Sequence, residues 1–396
     1  MIRLAAILSG SDFTNRRGLM NAALSRIEHL EKFPEFKIDI FALRTEKKEF
    51  TLRELIKGQH RVTEYDFNGR KVHILHKIEF ISHRRILRRP LRWYNKKYGY
   101  RLQDWEWQKH FATFIRGFDA ITAHFNDAAF IAKAVHDKDG TPYFVTWHGS
   151  DIHTIPFIDP VAKEKTISAI KNAACNFFVS KALLQTSIML TPEGRKEVLY
   201  NGADESFTRF PEEKRRGIRQ RLGVPEAKVV TFAGALRSIK NADILPEIFY
   251  HIQERVNEPI QFWIIGSGEL QPIIEGKLSA TRLIFKFWGS QPSERMPEFF
   301  NSTDVLVVPS KNEGFSLVAL EALTCGANVV GASVGGIPEV IGEGQTVEPG
   351  EDFVDRFAAK VAELLYHPIK QNAPINATWS ATADKERAIY HEFIDD

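Results

Sequence analysis

Short apolar runs alternate with amphipathic stretches along almost the whole chain, and this alternation constrains the fold more than any other feature of the sequence. Runs of about four to eight apolar residues are typical of buried strands, and most of the stretches between them have helical periodicity. Such alternation predicts an α/β protein with parallel sheets covered by helices on both faces. In the first half the predicted strands are Arg3–Leu8, Ile38–Leu43, Val72–His76, Ala120–Phe125, Tyr143–Trp147, Asn176–Val179 and Glu197–Tyr200. In the second half they are Val229–Ala233, Gln261–Ile265, Leu283–Phe287, Val305–Val308 and Asn328–Gly331.

The length of the chain predicts two domains. Its 396 residues are too many for one ordinary domain, and each half has enough apolar runs for a doubly wound sheet of its own. The segment Arg209–Arg219 is charged and weakly patterned, which is typical of a linker leading into a short helix. We therefore predict an N-terminal domain over residues 1–205 and a C-terminal domain over residues 206–378. The end of the chain, Trp379–Phe393, has the pattern of a helix.

Charge and cysteine content exclude several classes of protein. The chain has 53 basic and 50 acidic residues and a net charge of +3, which gives no case for nucleic-acid binding by itself. Its two cysteines, Cys175 and Cys325, lie in apolar runs, which indicates buried thiols rather than a disulfide and favours a reducing compartment. The first apolar run is too short for a signal peptide, and no apolar run approaches about 18 residues. We therefore expect a cytoplasmic protein without membrane-spanning segments.

Glu321 lies in the run Leu317–Leu323, which is otherwise apolar on every side and therefore predicts a buried helix. An unpaired buried carboxylate costs several kcal/mol or shifts its pKa, so Glu321 needs a partner. Ser316 is a favourable N-cap, Gly326 is a favourable residue just past the helix, and Glu313 lies in the loop before it. A helix N-terminus attracts anions, and a sugar nucleotide would supply a diphosphate and hydroxyl groups for both acids. From the acid alone, a surface residue or half of an ion pair is the commoner interpretation.

The string from Glu313 to Glu321, followed by Gly335–Glu339, resembles the retaining glycosyltransferases of family 4, which have the GT-B architecture. The two acids stand at that family's Glu-x7-Glu spacing. Further matches along the chain are Trp147–Asp151, Val198–Asp204, Gly234–Lys240, Gly266–Glu269 and Phe287–Gly289. The resemblance covers almost the whole chain, strongly from Val179 to Ile341 and weakly from Gly10 to Phe118.

The resemblance implies two Rossmann-like doubly wound domains that face each other across a cleft, with a C-terminal helix, 379–396, packing back on the first domain. It implies that the second domain binds a nucleotide-sugar donor and that the first binds the acceptor. It also implies that the sugar is transferred with retention of configuration and without a metal or other cofactor.

The resemblance places the donor on loops that follow strands of the second half, which is where parallel sheets bind their ligands. Lys240 and Arg237 would bind the diphosphate, with Arg237 replacing the arginine that the family has where this chain has Ala235. Glu321 would bind the ribose, and Glu313 would contact the sugar. The remaining donor-side residues are Gly234, Gly266, Gly268, Trp288, Gly314, Phe315, Ser316 and Leu317.

Each of these assignments has a simpler alternative. The two cations can be solvated surface groups, and Trp288 can be a core aromatic residue at a strand end. The pair Gly266 and Gly268 also occurs in dinucleotide-binding turns. Such a turn needs a third glycine, where this chain has Gln271, and an acid at the end of the next strand, where this chain has none, so we exclude a dinucleotide site.

His148 follows the predicted strand Tyr143–Trp147 and is the candidate catalytic histidine, because the family has a histidine close to the donor sugar at this place. A lone histidine at a strand end is more often structural. On the acceptor side, the resemblance indicates Asp151 and, in the loop after the first strand, Arg17 and Gly18. The family normally has a glycine pair in that loop, whereas this chain has a single glycine.

Asp137 and Asp139 form an Asp-x-Asp pair of the kind that binds a divalent ion in other glycosyltransferases. They precede Gly140 and Pro142, which form a turn before a strand. We therefore assign the two acids to a solvated turn and expect no metal site.

Residues 84–101 are strongly basic, and apolar and aromatic side chains are interleaved with the cations. Such a stretch can lie on an anionic membrane or bind nucleic acid. We favour the membrane over nucleic acid, because transferase acceptors are often lipid-linked. A solvated helix face that packs its apolar side inward is an equally good interpretation.

The sequence therefore predicts a hexosyl- or N-acetylhexosaminyltransferase that moves a sugar from a nucleotide diphosphate sugar, with UDP as the expected nucleotide. The acceptor would be a hydroxyl group of a sugar, a lipid-linked sugar or a protein-linked glycan. The expected role is surface polysaccharide, glycolipid or glycoconjugate synthesis, in the cytoplasm or on the inner face of the membrane. A sugar-nucleotide epimerase of the same architecture and a catalytically silent binding or scaffold protein stay open as alternatives.

Overall fold

The computed structural model describes residues 1–10, 19–49, 61–67, 70–81, 111–373 and 375–394. The chain forms two compact units, each built on one β-sheet. Unit 1 contains Met1–Val179, Leu183–Leu199 and Ala383–Asp396, and unit 2 contains Ser180–Ala182 and Tyr200–Thr382. The segment that resembled a linker lies within unit 2, where it forms the helix Glu212–Arg221.

The sheet of unit 1 has eight strands in the order β3-β4-β2-β1-β5-β6-β7-β8, and all neighbours are parallel except the edge strand β3, which is antiparallel to β4. The strands are β1 (Ile2–Leu8), β2 (Phe36–Glu49), β3 (Arg61–Phe67), β4 (Arg70–Ile81), β5 (Ala120–His124), β6 (Tyr143–Trp147), β7 (Cys175–Phe178) and β8 (Lys196–Val198). The central strands β1, β5, β6 and β7 are almost entirely buried, because helices cover both faces of a sheet of this kind.

The sheet of unit 2 has six parallel strands in the order β11-β10-β9-β12-β13-β14. The strands are β9 (Lys228–Ala233), β10 (Ile260–Ile265), β11 (Ile284–Gly289), β12 (Val305–Val308), β13 (Asn328–Ala332) and β14 (Thr346–Val347). The strand order reverses between β9 and β12, as it does between β1 and β5 in the first sheet. Ligands of such sheets bind beyond the carboxyl ends of the strands at this reversal.

Helices connect most of the strands. In unit 1 they are Leu19–Leu30, Asn126–Asp139, Ser150–His153, Ile155–Ile158, Pro160–Asn172 and Lys181–Leu190. In unit 2 they are Glu212–Arg221, Leu245–Arg255, Gln271–Ser279, Met296–Ser302, Leu317–Thr324, Ile337–Ile341 and Phe353–Tyr366. The last helix is Trp379–Ile394. No helix of the described residues has the length and apolarity needed to cross a membrane.

The predicted α/β class with two parallel sheets is confirmed, and each predicted strand overlaps an observed one. The prediction missed two edge strands. The sequence of β3 is Arg-Val-Thr-Glu-Tyr-Asp-Phe, in which Thr63–Asp66 are all exposed, and β14 has only two residues. Neither therefore has the apolar run that marks a central strand. Both cysteines are free and buried, as predicted.

The predicted return of the last helix to the first domain is also confirmed. Ile389 and Tyr390 of this helix are buried in one hydrophobic cluster with Ile2, Leu4 and other residues of unit 1. The ring of Tyr390 lies 4.4 Å from that of Phe144 on β6. Apolar burial of this kind fixes the C-terminal helix to the sheet of unit 1.

Candidate functional site

Two loops of unit 2 meet at the carboxyl ends of β9 and β12, where the strand order reverses. Lys240 ends the short 3₁₀ helix Ser238–Lys240 in the loop after β9, and Glu313 lies in the loop after β12. The ammonium group of Lys240 and the carboxylate of Glu313 form an ion pair, with side chains that are 28% and 14% exposed. The backbone N–H of Lys311 donates to the carbonyl oxygen of Ile239 at 3.0 Å, which joins the same two loops.

The glycine pair Gly335–Gly336 supports the turn that carries Glu313. A Cβ atom on Gly335 would lie 1.9 Å from the carbonyl oxygen of Glu313, and one on Gly336 would lie 2.4 Å from that of Gly314. The backbone N–H of Gly336 donates to the Glu313 carbonyl at 3.0 Å. Gly335 also has a φ of +53°, in the left-handed region that glycine adopts most readily. These glycines therefore act through backbone packing behind the Glu313 turn.

The helix Leu317–Thr324 begins beside this turn, and its start differs from the prediction. Ser316 is the N-cap residue, but its side chain makes no capping hydrogen bond, and its buried Oγ has no hydrogen-bond partner among the described residues. Phe315 is buried, and its ring lies 6.0 Å from that of Tyr200. Gly326 follows the helix with a φ of +88°, as expected of a residue that ends it.

The prediction that this helix is buried on every side is wrong. Ala319, Leu320, Ala322 and Leu323 are buried, whereas Glu321 lies on a partly exposed stripe with Leu317 and Val318. Positions three and four residues apart share a helix face, so the three partly exposed side chains lie together. Glu321 therefore has an open side from which a ligand can approach.

The carboxylate of Glu321 has no ion-pair or hydrogen-bond partner among the residues that the structure describes, and only its backbone carbonyl oxygen accepts hydrogen bonds, from Thr324 and Cys325. Burial raises the pKa of its carboxyl group to about 8, and the negative charge of Asp204 adds to the shift. The sequence-based expectation that an unpaired acid here shifts its pKa is therefore met. The group is largely protonated at neutral pH and can donate or accept a hydrogen bond.

Arg237 lies in the same loop as Lys240 but has different surroundings. Its Nε is 3.4 Å from Oε2 of Glu269, and both side chains are more than 60% exposed (62% and 64%). An ion pair of this kind contributes little to stability. Of the two cations that the sequence assigned to the diphosphate, Lys240 is the one that the structure places against Glu313.

Gly266 and Gly268 let two loops approach each other. A Cβ on Gly266 would lie 1.9 Å from the carbonyl oxygen of Gly234, and one on Gly268 would lie 2.3 Å from that of Leu236. The N–H of Gly234 donates to the carbonyl oxygen of Ile265 at 2.9 Å, and the N–H of Leu236 donates to that of Ser267 at 3.1 Å. The glycines after β10 thus fix the loop that leads to Lys240.

Trp288 on β11 packs edge-on against two aromatic rings, with its centroid 5.5 Å from Trp263 and 5.0 Å from Phe299. The ammonium group of Lys286 lies 3.6 Å from the ring centroid. This packing is that of a core aromatic residue at a strand end. The buried Nε1–H has no hydrogen-bond partner among the described residues, so a nucleobase role stays a prediction.

In unit 1, His148 follows β6, and its turn is built by Asp151. The carboxylate of Asp151 is fully buried and accepts hydrogen bonds from the backbone N–H groups of His148 at 3.0 Å and Gly149 at 2.7 Å. Gly149 is the N-cap residue of the short helix that follows. Because its carboxylate faces this backbone, Asp151 positions His148, and its predicted contact with an acceptor stays a prediction.

His124 is a member of this site that the sequence analysis missed. Its Nδ1 lies 3.2 Å from Nε2 of His148, and its side chain is buried at the end of β5. His124 pairs in register with Thr146 of β6, and His148 lies two residues beyond Thr146 on the same side of the sheet. The signal in the sequence was therefore a second histidine at the end of the neighbouring strand.

Both imidazoles are neutral at physiological pH. Burial lowers the pKa of His148 to about 3, and the guanidinium of Arg26 adds to the shift. Burial also lowers the pKa of His124 well below its usual value, and His148 and Arg26 contribute. Burial raises the pKa of the Asp151 carboxyl to about 6, although its bonds from backbone N–H groups oppose this. The pair of histidines therefore offers hydrogen bonds rather than a positive charge.

Several predicted residues lie elsewhere. Arg17, Gly18 and the basic stretch 84–101 are outside the described residues. Asp137 forms an ion pair with Lys133 at 2.7 Å. Asp139 accepts hydrogen bonds from the backbone N–H and the hydroxyl of Thr141. No group of three or more histidine, cysteine or acidic residues in the described part of the chain has the arrangement of a metal site.

Comparisons with known proteins show what the chain resembles in sequence and in fold. Residues 227–367 match the family model described as glycosyl transferases group 1. A D-inositol 3-phosphate glycosyltransferase of Catenulispora acidiphila is 32% identical over 225 residues, which cover 51% of this chain and 52% of that protein. The chain thus spans about half the length of this curated relative.

Solved structures match over the whole chain. Sucrose-phosphate synthase from Thermosynechococcus elongatus superposes with a TM-score of 0.74 at 15% identity and covers 100% of both chains. Anabaena HepE in complex with UDP and glucose superposes with a TM-score of 0.68 at 16% identity, over 100% of this chain and 99% of that one. Residues 227–367 are therefore similar in sequence to the group 1 glycosyl transferases, and the chain has the fold of these structural neighbours.

Proposed function

We propose that this protein is a retaining glycosyltransferase that moves a sugar from a nucleotide diphosphate sugar to a hydroxyl acceptor. The observation that carries the proposal is the Lys240–Glu313 ion pair at the strand reversal of unit 2. Beside it lie the start of the Leu317–Thr324 helix and the unpartnered hydroxyl of Ser316. A cation, free backbone amides and an acid in one place suit a diphosphate attached to a sugar.

Each group of this site has a chemical task. An ammonium group has three N–H donors, so Lys240 can bind a phosphate oxygen while it keeps its bond to Glu313. Negative charge grows on the diphosphate as the sugar leaves, and Lys240 stabilises that charge together with the amides of Gly314–Ser316. Glu313 is thereby oriented toward the sugar. Glu321, which is protonated at neutral pH and partly exposed, binds hydroxyl groups of the ribose.

UDP is the nucleotide that we propose, and a hexose or N-acetylhexosamine is the sugar. The support is a structural neighbour that is described in complex with UDP and glucose. The acceptor is a sugar, a lipid-linked sugar or a protein-linked glycan, used in surface polysaccharide, glycolipid or glycoconjugate synthesis, with peripheral association to a membrane. The name of the inositol phosphate glycosyltransferase relative supports a hydroxylated ring as the acceptor. We further propose that transfer needs no metal.

The test has two stages. Thermal shift measurements with a panel of nucleotide sugars identify the donor, because a ligand that binds the native state raises the apparent stability. The Lys240→Ala variant is then compared with wild type in transfer assays. We expect kcat to fall on the order of a hundredfold, as for loss of a comparable stabiliser of developing charge. Activity of Lys240→Ala within a fewfold of wild type would contradict the proposal.

The epimerase and the silent homologue are separated by the products. An epimerase changes the nucleotide sugar without any acceptor, whereas a transferase releases free nucleotide only with an acceptor or, slowly, with water. A silent homologue would bind the donor and convert none of it. The ion pair of Lys240 and Glu313 favours the transferase over the silent homologue, because a scaffold would need neither group.

A further inference from the structure

A cavity of about 370 Å³ opens at the amino end of the second sheet. Its lining includes Lys228, the first residue of β9, Asn328, the first residue of β13, and Asp304, which directly precedes β12. The strands are parallel, so their first residues lie at one edge of the sheet and the loops that follow them lie at the other. The cavity is therefore at the opposite edge from Lys240 and Glu313.

The charged side chains of the lining are mostly cations: Arg209, Arg215, Lys228 and Lys370, with Asp304 as an acid. The carboxylate of Asp304 is already engaged. Its Oδ2 accepts from the backbone N–H of Val229 at 2.8 Å and lies 3.6 Å from Nη1 of Arg219, a side chain outside the lining. The acid of the cavity thus has its own cation and does not compensate the others.

Arg215 is also engaged, because it pairs with Glu212 at 3.0 Å and donates to the carbonyl oxygen of Asn301 at 3.0 Å. In the part of the chain that the structure describes, the side chains of Arg209, Lys228 and Lys370 have no acidic partner. Three uncompensated cations around one cavity concentrate positive potential there. An anion inside the cavity would lower the free energy of the folded protein.

The position of Arg209 is fixed by Gly326. A Cβ atom on Gly326 would lie 3.0 Å from Cδ and 3.2 Å from Cγ of Arg209, so the side chain of Arg209 packs over the bare glycine. Contact along its aliphatic stem directs the guanidinium group at the end of the side chain. A guanidinium held in this way suits the geometry of a phosphate group.

Four further residues of the lining are apolar. Leu364 and Leu365 are buried, and Ile369, which is 45% exposed, lies beside Pro368. Asn328 fixes this segment, because its Nδ2 donates to the carbonyl oxygen of Ile369 at 2.8 Å and its Oδ1 accepts from the Ile369 N–H at 3.2 Å. A cavity lined by both apolar and cationic side chains suits a small molecule with a ring and an anionic group.

We propose that this cavity binds a small organic phosphate, whose phosphate group lies among Arg209, Lys228 and Lys370 and whose ring lies against Ile369. Its volume is in the range of small-molecule sites, about 300–1,000 Å³. The site is separate from the donor site of the proposed function and uses none of the same residues. The phosphate ligand is not a reactant there, and no bond is made or broken.

The experiment is isothermal titration calorimetry at low ionic strength, without nucleotide. The probes are inorganic phosphate and glucose 6-phosphate. The test variant is Arg209→Ala/Lys228→Ala. The matched control is Arg282→Ala, which removes an exposed cation of the same unit that lies outside the cavity lining.

We expect the double variant to bind both probes at least tenfold more weakly than wild type, and the control to match wild type. We also expect glucose 6-phosphate to bind wild type more tightly than inorganic phosphate does, and Ile369→Ser to abolish that difference. Equal affinity of wild type and the double variant would overturn the proposal. Lys370→Ala, an exposed change that leaves packing intact, provides a second route to the same answer if the double variant unfolds.

The experiment distinguishes failure of the cavity proposal from failure of the proposed glycosyltransferase function. Any other phosphate site contributes equally to wild type and to the cavity variants, so only their difference reports on this cavity. The affinity for UDP, titrated separately, should be the same in all of these variants. A protein that binds no nucleotide at all would contradict the glycosyltransferase proposal and leave the cavity comparison valid.

Discussion

The buried ion pair of Arg26 and Glu386 leads to a prediction about the stability of unit 1. Nε and Nη2 of Arg26 donate to Oε2 of Glu386 at 3.0 and 2.8 Å, and the two side chains are 0% and 1% exposed. The hydroxyl of Tyr390 donates to the other carboxylate oxygen. These bonds connect the helix Leu19–Leu30 with the C-terminal helix, so their loss should be felt throughout unit 1.

We expect Glu386→Gln to lower the free energy of unfolding of unit 1 by about 3–5 kcal/mol, because it leaves the charge of Arg26 buried without a counter-charge. Glutamine has nearly the same volume, so little of the loss comes from packing. The buried Nη1 of Arg26 has no hydrogen-bond partner among the described residues, which leaves it no second acceptor to turn to. Tyr390→Phe removes one bond to a charged acceptor and should cost less, about 1.5–3 kcal/mol.

The double variant Arg26→Met/Glu386→Leu is the matched control. Replacing a buried ion pair with apolar residues of similar volume is often neutral or stabilising, so the part of the loss that comes from the unpaired Arg26 charge should be recovered, while the bond from the Tyr390 hydroxyl stays lost. Native-state hydrogen exchange resolves the two units, because it reports local free energies of opening. Amides of β1 and β5 should lose protection in Glu386→Gln, and those of β12 should not. A loss below about 1 kcal/mol, or a double variant as unstable as the single one, would refute the electrostatic reasoning.

Further predictions concern the candidate site. Glu321→Ala should raise KM for the donor more than it lowers kcat, because ribose hydrogen bonds are present in ground and transition states alike. Folding raises the pKa of Glu321 from 4.5 to about 8, so between these values the native state holds a proton that the unfolded state has lost, and unit 2 loses stability as the pH rises from about 4.5 to about 8. Glu321→Gln should remove this loss in melting curves at pH 6 and 9. His124→Phe should lower kcat, leave the affinity for UDP unchanged, and alter the tautomer of His148 seen by nitrogen NMR. Incubation with EDTA should leave transfer activity intact, whereas a loss restored by Mn²⁺ would contradict this.

Much of the fold follows from the sequence, because buried parallel strands leave an unmistakable apolar run. The rule that loops after such strands share an edge also places Lys240 and Glu313 in one region. Their ion pair spans 73 residues of chain, and no local pattern predicts that two particular side chains from separate loops meet. The edge strand Arg61–Phe67 was missed, since its sequence has no apolar run and Thr63–Asp66 are all exposed.

The contacts of Gly266 and Gly268 could not be predicted from the sequence. The resemblance placed Gly266 and Gly268 on the donor side. In the structure the atoms that approach are the protein's own: the carbonyl oxygens of Gly234 and Leu236. The sequence shows where a glycine lies. Which group packs against it depends on contacts between distant parts of the chain.

The segment Gly335–Glu339 also contacts the residues at which the chain enters unit 2. The carboxylate of Glu339 accepts from the backbone N–H groups of Lys181 and Ala182, both at 2.9 Å, and from the hydroxyl of Tyr200 at 2.8 Å. These are residues at which the chain passes into unit 2 from unit 1. The glycines of this segment therefore support the Glu313 turn. The carboxylate of Glu339 holds the two places at which the chain enters unit 2. Glu339 follows Gly335 and Gly336 closely in the chain. A substitution at Glu339 should therefore also disturb the turn that carries Glu313.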